Sequence, residues 1–270
     1  MKKFNKSKKW LEKEYCIKRN KLEDIAEKIG VDRTTIFNWT KTFGLKRQKI
    51  VPEVANSRKY SVNEEYFNKI DTEEKAYWLG FIAADGCVQC RKSKTLLSVE
   101  LAKKDEDHLI KLKNAIEYTG PLHQRKAKNG KGSSCCLQVS SMKMVPDLMR
   151  HGIVERKSKI LQPPFMINKE FYRHWIRGFF DGDGSISLCK DGRIKGEFFS
   201  GSKNIIEFIV KEFFPLNIFL TLDIYTSKNC LGFHKSFSGK YRINQLHKTM
   251  YDNATVYLDR KKKIFEQNVI

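Results

Sequence analysis

The sequence predicts an α+β chain in which two pseudo-symmetric αββαββα units follow a small all-α region. Three observations carry that expectation. A ten-residue segment occurs twice, as Tyr77-Trp-Leu-Gly-Phe-Ile-Ala-Ala-Asp-Gly86 and Trp175-Ile-Arg-Gly-Phe-Phe-Asp-Gly-Asp-Gly184, at an offset of 98 residues. The order of helical and alternating stretches after each copy is the same, which marks an internal repeat. The first 50 residues differ from both copies in composition, with 15 Lys and Arg against 6 Asp and Glu.

In that first region, Ile25, Ala26 and Ile29 mark the inner face of one helix and Gly30 makes a turn. Asp32 is a good N-cap for the next helix, whose inner face carries Ile36, Trp39 and Phe43. Trp10, Tyr15 and Ile17 supply a first packing helix. This spacing resembles a helix-turn-helix domain over residues 1–48, with Arg33, Thr34, Thr35, Asn38 and Lys41 facing outward from the second helix. Arg and Asn can read purine edges in the major groove, and Thr can bind phosphate or meet a thymine methyl. A plain three-helix bundle that binds protein is the alternative. Residues 49–61, holding Pro52 and Asn56-Ser57-Arg58, read as a linker.

Each copy of the repeated segment is an apolar helix ending in Asp-Gly, which sets Asp85 and Asp183 at helix C-termini. A helix C-terminus carries about half a negative charge, so a cation is expected opposite each carboxylate. The glycine that follows suits the left-handed position just past a helix end. Gly80 with Ala84 and Gly178 with Gly182 repeat a small residue four positions apart, a bare stripe that lets two helix backbones approach. Asp85 and Asp183 then emerge side by side. Neighbouring carboxylates repel unless protonated or bridged by a metal, and oxygen ligands suit Mg²⁺.

The halves are read as residues 62–164 and 165–270. After each acid comes an alternating stretch, 87–101 or 185–200, and then a helical pattern starting near Lys104 or Ser202. Strand-like runs follow at 122–128 and 135–140, joined by the hairpin signal Asn129-Gly130, and at 218–227 and 232–243. A short helix over 142–149 answers 245–253, and the basic element Ile153–Lys159 answers Tyr257–Lys263. Alternation turns Gln89 and Arg91 outward and Val88 and Cys90 inward, and it sets Ser185 and Ser187 against Ile186 and Leu188.

The two segments resemble the LAGLIDADG motif of homing endonucleases, read as Trp78–Gly86 and Ile176–Gly184. The first copy departs from the second by carrying Ala83 where the second has Asp181. The resemblance spans about three quarters of the chain and implies a saddle, with the motif helices at its centre and two antiparallel sheets straddling a duplex. It implies that Asp85 and Asp183 hold the metal, with Ala84 and Gly182 beside them. It places one lysine of each terminal basic element, Lys157 and Lys261, near the scissile phosphates as a catalytic cation. A fixed cation there would stabilise the charge built up in phosphodiester hydrolysis. Gln89, Arg91, Arg125, Arg193 and Lys195 become candidate groove contacts.

The activity implied is Mg²⁺-dependent cleavage of both strands of a long, non-palindromic DNA site, across the minor groove, leaving short 3′ overhangs. Mn²⁺ is expected to substitute, and Ca²⁺ to support binding without efficient turnover. The expected partner is double-stranded DNA, bound by a monomer that requires no protein partner, in the service of intron homing. Two alternatives stand beside this: a maturase binding intron RNA, and a non-catalytic DNA-binding transcription regulator. The presence of both Asp85 and Asp183 argues against the maturase as the only role.

Composition points the same way. The chain of 270 residues has a formal charge of +21, a surplus that is costly to fold unless it faces a polyanion. No 18-residue apolar run is present, and the basic start Met1–Lys9 is followed by no apolar segment, so neither secretion nor membrane insertion is expected. Seven scattered cysteines fit reduced thiols in a cytoplasmic protein. Cys87 with Cys90 and Cys135 with Cys136 read as small buried residues rather than zinc ligands. His151 and His174 are read as structural or phosphate-facing, and no splice-junction blocks suggest an intein.

Overall fold

The computed structural model describes residues 7–18, 20–45, 59–91, 94–126, 132–189, 192–226 and 232–267. Most of the expected linker, the Asn129-Gly130 turn and the end of the run at Ser227 lie outside these residues. The chain divides into two units, Met1–Arg58 and Lys59–Ile270.

In the first unit, α1 (Lys8–Glu12) starts where the Ser7 hydroxyl accepts from Trp10 N, and it runs on into a wider π-type turn, Lys13–Ile17. α2 (Leu22–Ile29) ends at Gly30, whose φ of 69° is the left-handed conformation that glycine adopts without strain. α3 (Arg33–Thr42) begins at Asp32, which accepts from Thr34 N at 2.7 Å. Leu11, Ile25, Ala26 and Ile36 form the core, with Trp10, Tyr15, Trp39 and Phe43 packed against it. Leu11 and not Ile17 anchors the first helix. The π-type turn adds a residue per turn, rotating the chain off its apolar face, and Ile17 is 74% exposed.

The second unit is organised around two helices whose middle turns are buried. α4 (Glu73–Asp85) is capped by Thr72, whose side chain accepts from Lys75 N, and every residue from Ala76 to Ala83 is buried. α7 (Tyr172–Asp183) is buried from His174 to Asp181. The glycine stripes permit the contact. A Cβ at Gly80 would lie 2.8 Å from Trp175 C, and one at Gly178 would lie 2.8 Å from Phe81 N. Both distances are shorter than a carbon can approach. Gly178→Ala is therefore expected to force the helices apart and cost roughly 2–4 kcal/mol, read as a lower urea midpoint. An unchanged midpoint would show that the helix pair is not this close.

Each helix leads into a four-stranded antiparallel sheet. The first has β1 (Gly86–Arg91), β2 (Lys94–Ala102), β3 (His123–Lys126) and β4 (Ser133–Val139) in the order β1-β2-β4-β3. The second has β5 (Ser185–Leu188), β6 (Ile194–Ser200), β7 (Tyr225–Thr226) and β8 (Phe233–Ser238) in the order β5-β6-β8-β7. α5 (Glu106–Ala115) and α6 (Met144–Arg150) accompany the first sheet, and α8 (Lys203–Phe213), α9 (Lys240–Tyr251) and α10 (Asp259–Glu266) the second. The described residues thus form a mixed α/β fold with two four-stranded antiparallel sheets and ten helices. The apolar members of each alternation, among them Val88, Leu97, Val99, Leu137, Val139, Phe198 and Phe237, join one core with α4 and α7.

Several expectations are corrected. The strand-like run expected over 232–243 stops at Ser238, because Gly239 at φ 91° turns the chain and α9 starts at Lys240. The last element of the first half is a single 3-10 turn, Lys157–Lys159, where the second half has the two-turn α10. Leu188 is 57% exposed, since it ends a four-residue strand beyond the cover of the helices. Cys90 points to solvent with Cys87, near the end of β1, while its backbone N–H donates to Glu155 Oε1 at 2.5 Å. Cys135 and Cys136 are both buried on β4, which lies inside the sheet.

Candidate active site

The close crossing of α4 and α7 fixes where the two acids emerge. Asp85 and Asp183 are the last residues of the two helices. A Cβ at Gly182 would lie 3.1 Å from Asp85 Oδ2, so the bare glycine of one helix makes room for the carboxylate of the other. The glycines after the acids are not left-handed, contrary to the expectation. Gly86 (φ −80°) and Gly184 (φ −76°) are extended, and they are needed because a Cβ would lie 2.6 Å from Ile82 O and from Phe180 O respectively.

The cations expected opposite the helix ends are Lys157 and Lys261, and both are buried. Lys157 Nζ donates to Gly86 O and, at 3.4 Å, to Ala84 O. Lys261 Nζ donates to Phe180 O at 2.6 Å, Asp181 O at 2.8 Å, Gly182 O at 3.2 Å and Gly184 O at 2.5 Å. The lysines therefore satisfy carbonyls that a helix end leaves unpaired. Both ammonium groups are bonded to main-chain carbonyls at the helix ends, within charge range of Asp85 and Asp183.

Burial lifts the Asp85 carboxyl to about 6, and the neighbouring Asp183 charge adds to the rise while Lys261 and Lys157 oppose it. Desolvation raises Asp183 as well, again opposed by the two lysines. Desolvation lowers Lys261 to about 8 and Lys157 below the usual lysine range. Among the described residues, burial and neighbouring charges set both shifts.

Two adjacent, unsupported carboxylates flanked by the carbonyls of Ala84 and Gly182 are hard oxygen donors, a set that fits a divalent cation such as Mg²⁺. Among the described residues no group of three or more His, Cys, Asp or Glu is gathered, so two acids are all the side-chain charge on offer. The lysine contacts to Ala84 O and Gly182 O are the longest of their sets, and each carbonyl has a second lone pair for another partner.

Asp181, which the first copy replaces by Ala83, acts across the helix pair rather than at a helix end. Its carboxylate accepts from Tyr77 Oη at 2.7 Å, Tyr251 Oη at 2.7 Å and Leu258 N at 2.8 Å, binding α7 to α4, α9 and the start of α10. Arg177, 1% exposed, donates to Glu73 at 2.9 Å, Met250 O at 2.7 Å and Val256 O at 3.1 Å. His174 is structural, with Nδ1 2.9 Å from Arg177 Nη1, and His151 bonds Phe67 O at 3.0 Å through Nε2. This set of partners was not foreseen. The signal for it was an arginine and an aspartate inside an otherwise apolar helix.

The candidate DNA contacts differ in exposure and in their partners within the chain. Gln89 and Arg91 on β1 and Lys195 on β6 are exposed, as is Arg193 ahead of β6, whose carbonyl accepts from Cys189 N. Arg125 is exposed but pairs with Glu100 at 2.5 Å. On α3, Asn38 and Lys41 are exposed, Arg33 pairs with Glu23 at 2.5 Å, the Thr34 hydroxyl turns back to Asp32, and Thr35 is half-buried.

No protein-family model matches the chain. Over 144 residues the chain is 30% identical to the DNA-directed RNA polymerase subunit Rpo1C of Methanocaldococcus jannaschii, a match covering 53% of this chain and 16% of that subunit. The chain thus spans about a sixth of the length of the curated relative it matches. Among solved structures, the I-LtrWI LAGLIDADG homing endonuclease bound to target DNA is similar at a TM-score of 0.48 and 16% identity, over 76% of this chain and 88% of that one. Meganuclease I-SmaMI bound to uncleaveable DNA is similar at 0.49 and 13%, over 70% and 87%. The same enzyme bound to uncleaved DNA in the presence of calcium ions gives 0.45 and 12%, over 69% and 87%.

Proposed function

We propose that the chain is a site-specific, metal-dependent DNA endonuclease of the LAGLIDADG homing type. The observation that carries this reading is the pair Asp85 and Asp183, set side by side by two helices that glycine alone lets pack so closely. Asp85 and Asp183, with the carbonyls of Ala84 and Gly182, would hold Mg²⁺. Bound there, Mg²⁺ would lower the pKa of an attacking water and steady the leaving oxygen. In the hydrolysis the water oxygen bonds to phosphorus as the P–O3′ bond breaks. The water's protons pass to the leaving oxygen and to solvent, giving a 3′-hydroxyl and a 5′-phosphate. Lys157 and Lys261 keep the negative helix ends from repelling the phosphate and hold the acids in place.

The unequal halves suit a non-palindromic target read by a single chain, with Gln89, Arg91 and Lys195 on the sheets as candidate contacts. In the first unit, α3 would enter a major groove as the second helix of a helix-turn-helix and lengthen the site through Asn38 and Lys41. N38A/K41A is expected to leave cutting intact at high protein concentration while making the salt dependence of binding shallower by about one counterion. An unchanged salt slope would remove α3 from the DNA interface. The reading as a whole is tested by incubating the protein with candidate genomic DNA and Mg²⁺ and mapping breaks by sequencing. Recurrent double-strand breaks with 3′ overhangs at one long site are expected, and binding without breaks would favour a regulator.

Metal dependence has a readout that needs no target. The Asp85 carboxyl titrates near 3.8 ordinarily and near 6 in the fold. Between those values the folded state holds the extra proton, so stability falls as pH rises. A bound dication reverses the sign, because it binds the ionised form and stabilises by mass action. The thermal midpoint of the metal-free protein is therefore expected to fall between about pH 4 and pH 6, and Mg²⁺ to recover it increasingly toward pH 7. A midpoint indifferent to both would remove the metal from this site.

A further inference from the structure

The two sheets differ in what they bury at one matching pair of positions. Cys87 and Ser185, each one residue past its motif glycine, pair with Ser98 and Glu197, so Val99 matches Phe198. Those two residues pair in turn with Leu137 and Lys235. Lys235 therefore holds the place of Leu137. Seven residues further along each half, Arg242 holds the place of Met144. Leu137 and Met144 are buried in the core, and the same alignment matches buried Val145 with Ile243 and buried Leu148 with Leu246. The second half thus carries two cations where the first half carries apolar core.

Neither cation is ion-paired among the described residues. Lys235 is 3% exposed, and its ammonium donates to the Thr221 hydroxyl at 2.9 Å and to Asp223 O, both neutral acceptors. One of its three protons is left over. Arg242 donates through Nη1 to Ser238 O at 3.3 Å, and its buried Nε has no partner among the described residues. Both side chains line one cavity of about 240 Å³, with Thr221, Tyr225, Ser236 and Ser238 among its other walls. The exposed Asp223 carboxylate is within charge range of Lys235 but does not line the cavity. Lys235 shares a side of β8 with Phe237, which joins the core, whereas exposed Lys195 lies on the other face of the sheet. The cavity also shares no residue with the one beside Asp183.

Two cations gathered around one space repel each other, and burying them unpaired is costly unless an anion joins them. We propose that this cavity binds a phosphate monoester or free phosphate, held between Lys235 and Arg242. Charge selects the class. A phosphate monoester carries about −1.5 to −2 at pH 7, which matches two cations, whereas a backbone diester carries a single charge. The spare Lys235 proton and the unpartnered Arg242 Nε supply charge-assisted donors, and the serines supply hydroxyls. The site stands apart from the acid pair, so it does not depend on the endonuclease reading.

The test compares the metal-free full chain with K235L/R242M, which installs the first half's residues, by urea midpoints in phosphate and in chloride at equal ionic strength. Phosphate stabilises folded chains generally, so the variant is the control. Phosphate is expected to raise the wild-type midpoint by site binding, and to raise that of the variant less. In chloride the variant is expected to be at least as stable as the wild type, since two unpaired buried charges are replaced by apolar side chains. A wild-type midpoint indifferent to phosphate, or equal rises in both proteins, overturns the proposal. Lys235→Met serves if the double variant does not fold. It is expected to weaken phosphate about 10-fold or more, read from the amide resonances of Ser236 and Ser238, and an unchanged affinity overturns the site. The same resonances separate the sources of the phosphate. Inorganic phosphate and adenosine 5′-monophosphate are expected to shift them, and a DNA duplex without terminal phosphates to leave them unmoved. If the duplex shifts them and the two monoester probes do not, the cavity is a backbone clamp and the assignment falls.

Discussion

Asp85→Asn and Asp183→Asn are each expected to remove double-strand cleavage while raising the stability of the metal-free protein. The loss of rate should reach about 10²–10³-fold or more, because each substitution removes a charged ligand and a share of the transition-state electrostatics. Both strands should suffer in either variant, since Gly182 brings the two carboxylates into one site. The opposite effect on stability follows from the same geometry. Burial and the second acid raise the Asp85 carboxyl to about 6, so at pH 7 the fold carries an ionised group it disfavours. Asparagine relieves that by about 1–2 kcal/mol once partial exposure is allowed for. A stability gain joined to lost activity is the signature of a functional acid rather than a structural one. Wild-type cutting rates in either variant, measured on the mapped target, would sink the assignment.

The acid pair and its helix contact were legible because both obey local rules. The small-residue stripe, the apolar run and the terminal Asp-Gly are each visible in ten residues, and repetition removes chance. The lysines were legible as residues but not as geometry. Spacing chose Lys157 and Lys261 from basic runs, while only the fold reveals that both ammonium groups are spent on helix-end carbonyls. The partners of Asp181 were not legible for a related reason. Tyr77, Tyr251 and Leu258 are 104, 70 and 77 residues away, and no local pattern encodes such a meeting. The glycines after the acids follow a different rule from the one expected. They are small because the chain doubles back against its own helix, not because their dihedrals are left-handed. Strand ends failed where sheet cover ended, as at Leu188 and Cys90.

Lys261→Met is expected to be the more damaging of the two lysine replacements. Methionine fills a similar volume, so what disappears is the cation and its donors rather than packing. Four carbonyl oxygens, those of Phe180, Asp181, Gly182 and Gly184, then lose the ammonium that serves them. Unpaired buried acceptors at a negative helix end are costly, and removing the cation also leaves Asp181, itself buried, without its largest opposing charge. The loss should be about 3–5 kcal/mol, the range for breaking a buried charged set by deleting one member. Lys157→Met frees only two carbonyls, at Ala84 and Gly86, and should cost roughly 1–3 kcal/mol. The ordering is read from urea midpoints at constant pH. If Lys157→Met proved the worse, or if both were neutral, the lysines would not be the clamps of the helix ends. The acids would then need another explanation for staying together at the crossing of α4 and α7.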